Sequence, residues 1–415
     1  MTDAQIPRII AVADSDSYVK WAAALLAPVP GAELIVLETE LVVSPAQQRA
    51  ALAGSGLERV RRATYDELPA LLAGADAVLL AARGPLVRVL ARLAAGLDPA
   101  PVILTGLPGI SIPATWLALH FRRGCDLFVL HSRREVREFS ALAAERGIPQ
   151  RFGLATLPFA RSAERVEREG TDLVFAAQAI VPRLREHREH VARLLVRAAR
   201  AQPDRRVVLK LRARPGEAET HRELVSYPEL LAELGETPPN LVISTAPMRE
   251  ALETAEGLVT VSSTAAIEAA AQGVPVIALD TFGVSRRLIN LVFEGSGLLA
   301  GDEDVVARRF HRPAPEWLDE NYFHDPAEDD WLARTAELVA RRRAGLLAPH
   351  RAPRRLGGRA RDAWERKLAL GDRDRSLSGT LAYAVGVPAR LVLRAVRRWT
   401  GGRRARERGS ASAAM

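Results

Sequence analysis

Val259-Thr260-Val261-Ser262-Ser263-Thr264-Ala265-Ala266-Ile267-Glu268-Ala269-Ala270-Ala271-Gln272-Gly273-Val274-Pro275-Val276-Ile277 reads as strand, hydroxyl turn, helix, glycine stop and strand in one short passage. Apolar β-branched residues suit the two flanking strands, alanines suit the helix, and Gly273 suits its C-terminal end. A unit of this kind returns the chain parallel to itself, which places the protein in the α/β class. The first N–H groups of the helix lack intrahelical partners and carry the positive end of the dipole, so the turn favours an anion. Ser262, Ser263 and Thr264 add donors, and Glu268, one turn inside the helix, is placed to accept from sugar hydroxyls. A helix cap accounts for one of these hydroxyls; a bound ligand accounts for all three.

The same alternation extends outward in both directions. Upstream, Asp172–Ala176, Arg206–Lys210 and Leu241–Ile243 read as strands, with an arginine-rich amphipathic helix over about 182–201. Earlier still, Arg8–Ala13, Glu33–Leu37, Ala77–Ala81, Val102–Leu104 and Leu127–Leu130 read as strands separated by helical patterns. Strands that are apolar throughout, rather than alternating, indicate parallel sheets covered on both faces. The charged stretch 161–171 lacks apolar periodicity and divides the chain. The expected organisation is a first Rossmann-like domain over 1–165, a second over 170–347, and a basic tail over 348–415. Two doubly wound sheets leave a cleft between them, with strand C-termini facing it.

Composition narrows the class. The chain has 415 residues, 48% hydrophobic and 26% charged, a folded profile too long for a single core. One cysteine, Cys125, excludes a disulfide framework and fits a reducing compartment. The start, Met1-Thr2-Asp3-Ala4-Gln5, is polar, and no clean apolar span is present, so a cytoplasmic location is expected. Residues 351–415 hold 17 Arg plus Lys against 5 Asp plus Glu, a net of +12, so the net of +8 for the whole chain leaves the first 350 residues at −4. The basic character belongs to the tail, which argues against nucleic acid as the partner of the body.

With those residues in view, the Ser-Ser-Thr-Ala-x-x-Glu-Ala…Gly-x-Pro-Val-Ile pattern resembles the C-terminal domain of GT-B glycosyltransferases. It is most similar to the bacterial capsule group of polysialyltransferases, Kdo transferases and CDP-glycerol glycerophosphotransferases. The resemblance covers about residues 170–300 and implies a GT-B fold with a nucleotide-sugar donor, often a cytidine nucleotide, in the second domain. In that group paired serines contact donor phosphate, which falls here on Ser262 and Ser263. The group also carries Lys-x-His-Pro after a strand; here Lys210-Leu211-Arg212-Ala213-Arg214-Pro215 has arginine before the proline. Arg214 and Arg212 suit phosphate, Arg offering a planar fork that takes two oxygens at once. Lys210 is one of three lysines beside 55 arginines. Gln178, in the turn after Asp172–Ala176, falls on the cleft-lining turn of GT-B enzymes, and the resemblance implies that it touches the donor.

On the acceptor side, Asp14 and Asp16 follow the first strand. Sugar transfer needs a base for the acceptor hydroxyl, and the capsule group keeps an acidic pair in this domain. Capping of the next helix is the alternative role for either acid. Leu104–Gly109 is a further cleft loop, and His131 an alternative base. His324-Asp325 and Glu328-Asp329-Asp330 read as a solvated loop and helix start. No metal site and no cofactor are expected, the leaving phosphates being met by cationic residues and the helix dipole. In the tail, Leu391, Val392, Ala395, Val396 and Trp399 share one helical face amid arginines, which suits an anionic membrane surface or packing on the acidic body. The expected activity is a metal-independent transferase moving a sugar, a CMP-nonulosonate by resemblance, to a cell-envelope saccharide or lipid-linked acceptor. A GT-B sugar-nucleotide epimerase and a non-catalytic nucleotide-sugar-binding protein are the alternatives.

Overall fold

The computed structural model describes residues 6–41, 43–160, 170–211, 225–235, 237–348 and 358–386. The first lobe is built on a seven-stranded sheet, β1 (Ile9–Ala13), β2 (Glu33–Leu37), β3 (Val60–Ala63), β4 (Ala77–Ala81), β5 (Val102–Gly106), β6 (Leu127–Leu130) and β7 (Phe152–Leu154). The second has six, β8 (Asp172–Ala176), β9 (Val207–Lys210), β10 (Leu241–Ser244), β11 (Ala255–Thr260), β12 (Val276–Leu279) and β13 (Leu299–Ala300). Their orders are β3-β2-β1-β4-β5-β6-β7 and β10-β9-β8-β11-β12-β13, every pairing parallel. β1, β4 and β8 are buried along their whole length, as strands sandwiched between helical layers must be.

In both sheets the first strand lies inside, between the second and the fourth. The winding reverses there, so the loops beyond the two central strands diverge and open a crevice at the strand C-termini. The crevices fall between β1 and β4 in the first lobe and between β8 and β11 in the second. This is the α/β, two-Rossmann GT-B architecture expected from the strand pattern.

Three strands were not foreseen: β3, whose two middle residues are exposed arginines, β7 and the two-residue β13. All lie at or next to a sheet edge. The segment after the second sheet also departs from expectation. Trp331, Leu338 and Val339 of the helix Trp331–Arg343, with Leu347, join the core of the first lobe rather than the second. Burying such apolar side chains stabilises by roughly 1.5–3 kcal/mol each, enough to bring the chain back across the gap. The approach to this helix is not a solvated loop either. Asp330 accepts from the Leu154 N–H at 2.7 Å and Asp329 from Thr156 N–H at 2.6 Å, satisfying the backbone at the end of β7. His324 is buried and contacts Asp329 at 3.0 Å. Of the dividing stretch 161–171, residues 161–169 lie outside the described residues.

Candidate active site

Asp14 and Arg83 meet across the first crevice, one following β1 and the other β4. Arg83 Nε donates to Asp14 Oδ2 at 2.7 Å. Asp14 is fully buried, and its Oδ1 has no hydrogen-bond partner. Burial raises its pKa from the ordinary aspartate value, while the Arg83 guanidinium works against that rise. A buried carboxylate with one oxygen fixed and the other without a partner is uncommon in a folded core. Neither acid caps the helix Asp16–Leu26: its N-cap is Ser15, which makes no side-chain cap bond, and Asp16 is the first helical residue.

His131 does other work. Its Nε2 accepts from Trp21 Nε1 at 2.7 Å and its Nδ1 lies 2.8 Å from the Ala155 carbonyl. The ring is therefore neutral with the proton on Nδ1, and burial lowers its pKa to about 4. With both nitrogens engaged in the core, His131 is not a base for the acceptor.

Across the second crevice the junction is uncharged. Gln178, after β8, and Ser262, after β11, bond reciprocally: Gln178 Nε2 donates to the Ser262 carbonyl at 3.1 Å, and Ser262 N–H to Gln178 Oε1 at 3.0 Å. The Ser262 hydroxyl, expected on the donor, instead donates to the Ile289 carbonyl at 2.6 Å. That bond holds the loop after β12 against the turn. Within the loop, Ser285 N–H donates to Asn290 Oδ1 at 2.9 Å. Ser263 Oγ accepts from Ala265 N–H at 3.2 Å, while Thr264, at the head of the helix Ala265–Ala271, makes no side-chain cap bond. Lys210 is buried and its ammonium donates to the Leu211 carbonyl. Arg212 and Arg214 lie outside the described residues.

The junction faces the first lobe. A Cβ on Gly109, in the loop after β5, would lie 2.7 Å from Thr264 Oγ1, so a side chain there would have to displace the Thr264 hydroxyl. Glu268, expected to meet sugar hydroxyls, stands 3.4 Å from Lys20 Nζ, on the helix that opens beside Asp14. The seam continues at Glu135, which accepts from Tyr322 hydroxyl at 2.7 Å, from Ser111 N–H at 2.8 Å and from His131 N–H at 2.8 Å. Tyr322 belongs to the second lobe's core. Burial pushes the Glu135 carboxyl up to about 7, its three donors pulling the other way.

Two elements escaped sequence reading. Arg83 is one cation among many, and only the strand order reveals its partner. Arg286 and Arg287, exposed on the loop held by Ser262, make no ion pair with a described residue. Adjacent arginines after a strand were the available signal. Among the described residues, no group of three His, Cys, Asp or Glu side chains is arranged to hold a metal ion.

The two facing sheets, with a nucleotide-type crevice in each, define a GT-B protein. The chain belongs to the family described as "Putative glycosyltransferase (DUF6716)", whose model matches residues 9–338. No curated protein matches it. Among solved structures, it is similar to S. aureus MnaA in complex with UDP, at 12% identity over 85% of this chain and 100% of that one, with TM-score 0.51. It is also similar to UDP-GlcNAc 2-epimerase from Neisseria meningitidis bound to UDP-GlcNAc, at 8% identity over 81% and 100%, with TM-score 0.50. The lipopolysaccharide outer core galactosyltransferase WaaB matches at 11% identity over 82% and 100%, with TM-score 0.42. At such identities these likenesses concern the fold. Membership of one capsule-transferase group is not among the matches.

Proposed function

We propose that the protein transfers a sugar from a nucleotide-activated donor, with a cytidine-activated nonulosonate as first choice, to a cell-envelope saccharide or lipid-linked acceptor. Asp14 carries this reading: a buried carboxylate at the crevice of the first sheet, with a raised pKa and one oxygen fixed by Arg83. An epimerase needs no acceptor and no base dedicated to one. Opening of the lobes admits the acceptor, and Asp14 Oδ1 takes its hydroxyl proton as the oxygen attacks the anomeric carbon. The bond from that carbon to the phosphate oxygen breaks, and the nucleotide leaves with the electron pair. Its charge is met by the Ser262–Thr264 turn, Lys210, Arg212, Arg214 and the exposed Arg286 and Arg287, without a metal ion. Gln178 supports the turn from below, and Glu268 exchanges Lys20 for donor hydroxyls. Asp16 serves as the second acid of the pair. The enzyme works in the cytoplasm, peripherally on the inner face of the membrane.

Thermal shift against a panel of nucleotides and nucleotide sugars identifies the donor, since a ligand of the native state raises Tm. Nucleotide release measured with and without added acceptor then decides the class. Acceptor-dependent release supports the transferase; interconversion of sugar nucleotides without an acceptor identifies an epimerase; binding without turnover identifies a binding protein.

A further inference from the structure

Among the described residues, no helix is long and apolar enough to cross a membrane. Residues 377–386 nevertheless form a helix whose large side chains point the wrong way for a soluble protein. Leu377, Leu381 and Val385, four residues apart and so on one stripe, are 83%, 67% and 72% exposed. The opposite side is small and turned inward. Gly379 is buried, and a Cβ there would lie 2.3 Å from an Asp374 carboxylate oxygen; one on Gly386 would lie 2.6 Å from the Trp364 ring. An amphipathic helix normally buries its apolar face, and this one presents it.

The stripe is fastened to the first lobe rather than trailing from it. Arg366 Nε donates to Asp374 at 3.0 Å and Lys367 Nζ to the Asp374 carbonyl at 2.9 Å. Both cations belong to the helix Gly358–Leu370, which lies along the helix Gly84–Ala95. There Glu365 pairs with Arg88 at 3.0 Å and also with Arg92, and Leu370 enters the core. In sequence, no charged residue occurs from Ser376 to Ala389, whereas 387–408 carries eight arginines and one glutamate.

We propose that helix 377–386 docks the first lobe on an anionic lipid surface, with Leu377, Leu381 and Val385 entering the headgroup boundary. The charge decides for lipid over protein. A second copy would bring its own arginine run against this one, while an anionic leaflet attracts both. An apolar stripe and a polybasic segment together give the two signals that peripheral attachment needs. The proposal rests on the transferase reading only for its purpose, which is to hold the acceptor crevice beside a lipid-linked acceptor.

The test is flotation of the full-length protein with phosphatidylglycerol-containing vesicles and with pure phosphatidylcholine vesicles. Wild type is expected to float with the anionic vesicles alone. The L377S/L381S/V385S variant is expected to lose about tenfold or more in partitioning, three exposed apolar contacts being removed. Its far-UV circular dichroism should be unchanged, because the altered side chains support nothing inside the fold. A wild type that stays in the buffer, or a variant that floats as well as wild type, overturns the proposal. So does a concentration-dependent wild-type dimer that the variant abolishes without loss of flotation, which would make the stripe a self-association face. Flotation involves neither donor nor acceptor, so its failure leaves the transferase reading standing, and an absence of acceptor-dependent turnover leaves flotation untouched.

Discussion

Across the crevice of the first sheet lies a charged pair, Asp14 and Arg83; across the equivalent crevice of the second lies a neutral one, Gln178 and the backbone of Ser262. The strand order around the two is the same. The difference is therefore chemical, and it divides labour. A carboxylate whose charged form burial disfavours is costly to keep, and on the proposed reading Asp14 is kept to take the acceptor's proton. A reciprocal amide clamp has no proton to give at neutral pH, and is suited to hold a turn still while an anion binds. The largest expected effect follows. Asp14→Asn keeps the shape and the Arg83 contact but cannot take a proton. It should lower kcat by about 10²–10⁴-fold, with donor-induced thermal shift unchanged. Activity within a factor of a few of wild type would remove Asp14 from the chemistry.

The seam where the lobes join gives the next effect, on stability. Glu135 titrates near 7 in the folded state against 4.5 ordinarily, so folded protein holds that proton more tightly than unfolded chain. Its stabilisation is complete below about 4.5 and is lost as pH rises through 7, up to roughly 3 kcal/mol in all. His131 runs oppositely. Its folded value of about 4 against 6.5 gives stability present above 6.5 and lost as pH falls toward 4. The two windows overlap and offset each other in wild type, which should show a shallow profile of unfolding free energy from pH 4.5 to 6.5. Glu135→Gln should uncover the His131 slope, so that stability rises with pH over that range. A profile as shallow as wild type in this variant would break the assignment.

A third effect tests the neutral crevice. Gln178→Ala removes both bonds of the clamp and leaves the Ser262 N–H without its partner, a cost of about 1–3 kcal/mol. Tm should fall by several degrees and donor KM rise about tenfold, following that loss, with kcat changed far less than in Asp14→Asn. Equal losses of kcat in the two variants would erase the contrast between the lobes.

How much of this was legible depends on where each feature is encoded. β1, β4 and β8 announce themselves as runs buried on both faces, so their identity is written locally. β3 is not, because Arg61 and Arg62 point to solvent near a sheet edge where no second layer demands an apolar residue. The hydroxyl turn at Ser262–Thr264 could be found for the same local reason, but the direction of the Ser262 hydroxyl could not, since Ile289 lies on another loop. The Tyr322–Glu135 bond joins residues 187 positions apart. Neither residue signals it alone. His131 shows the risk in the other direction: a histidine after a strand looks catalytic until Trp21 is seen to occupy it.

The smallest effect concerns the bridge between the two crevices. Lys20 and Glu268 are 3.4 Å apart, with the lysine side chain 45% exposed. Water screens such a pair, and ordering a long side chain offsets much of what remains, so the contact is worth under about 1 kcal/mol. Lys20→Ala should therefore move Tm by only a degree or two. If Glu268 is held for the donor, the same variant should shift donor KM by less than about threefold, the exchange of one weak partner for another being nearly neutral. Loss of several degrees would instead make this pair a principal fastening between the lobes. In that case closure, rather than donor contact, would be the work of Glu268, and the donor's hydroxyls would need a different acceptor on the second lobe.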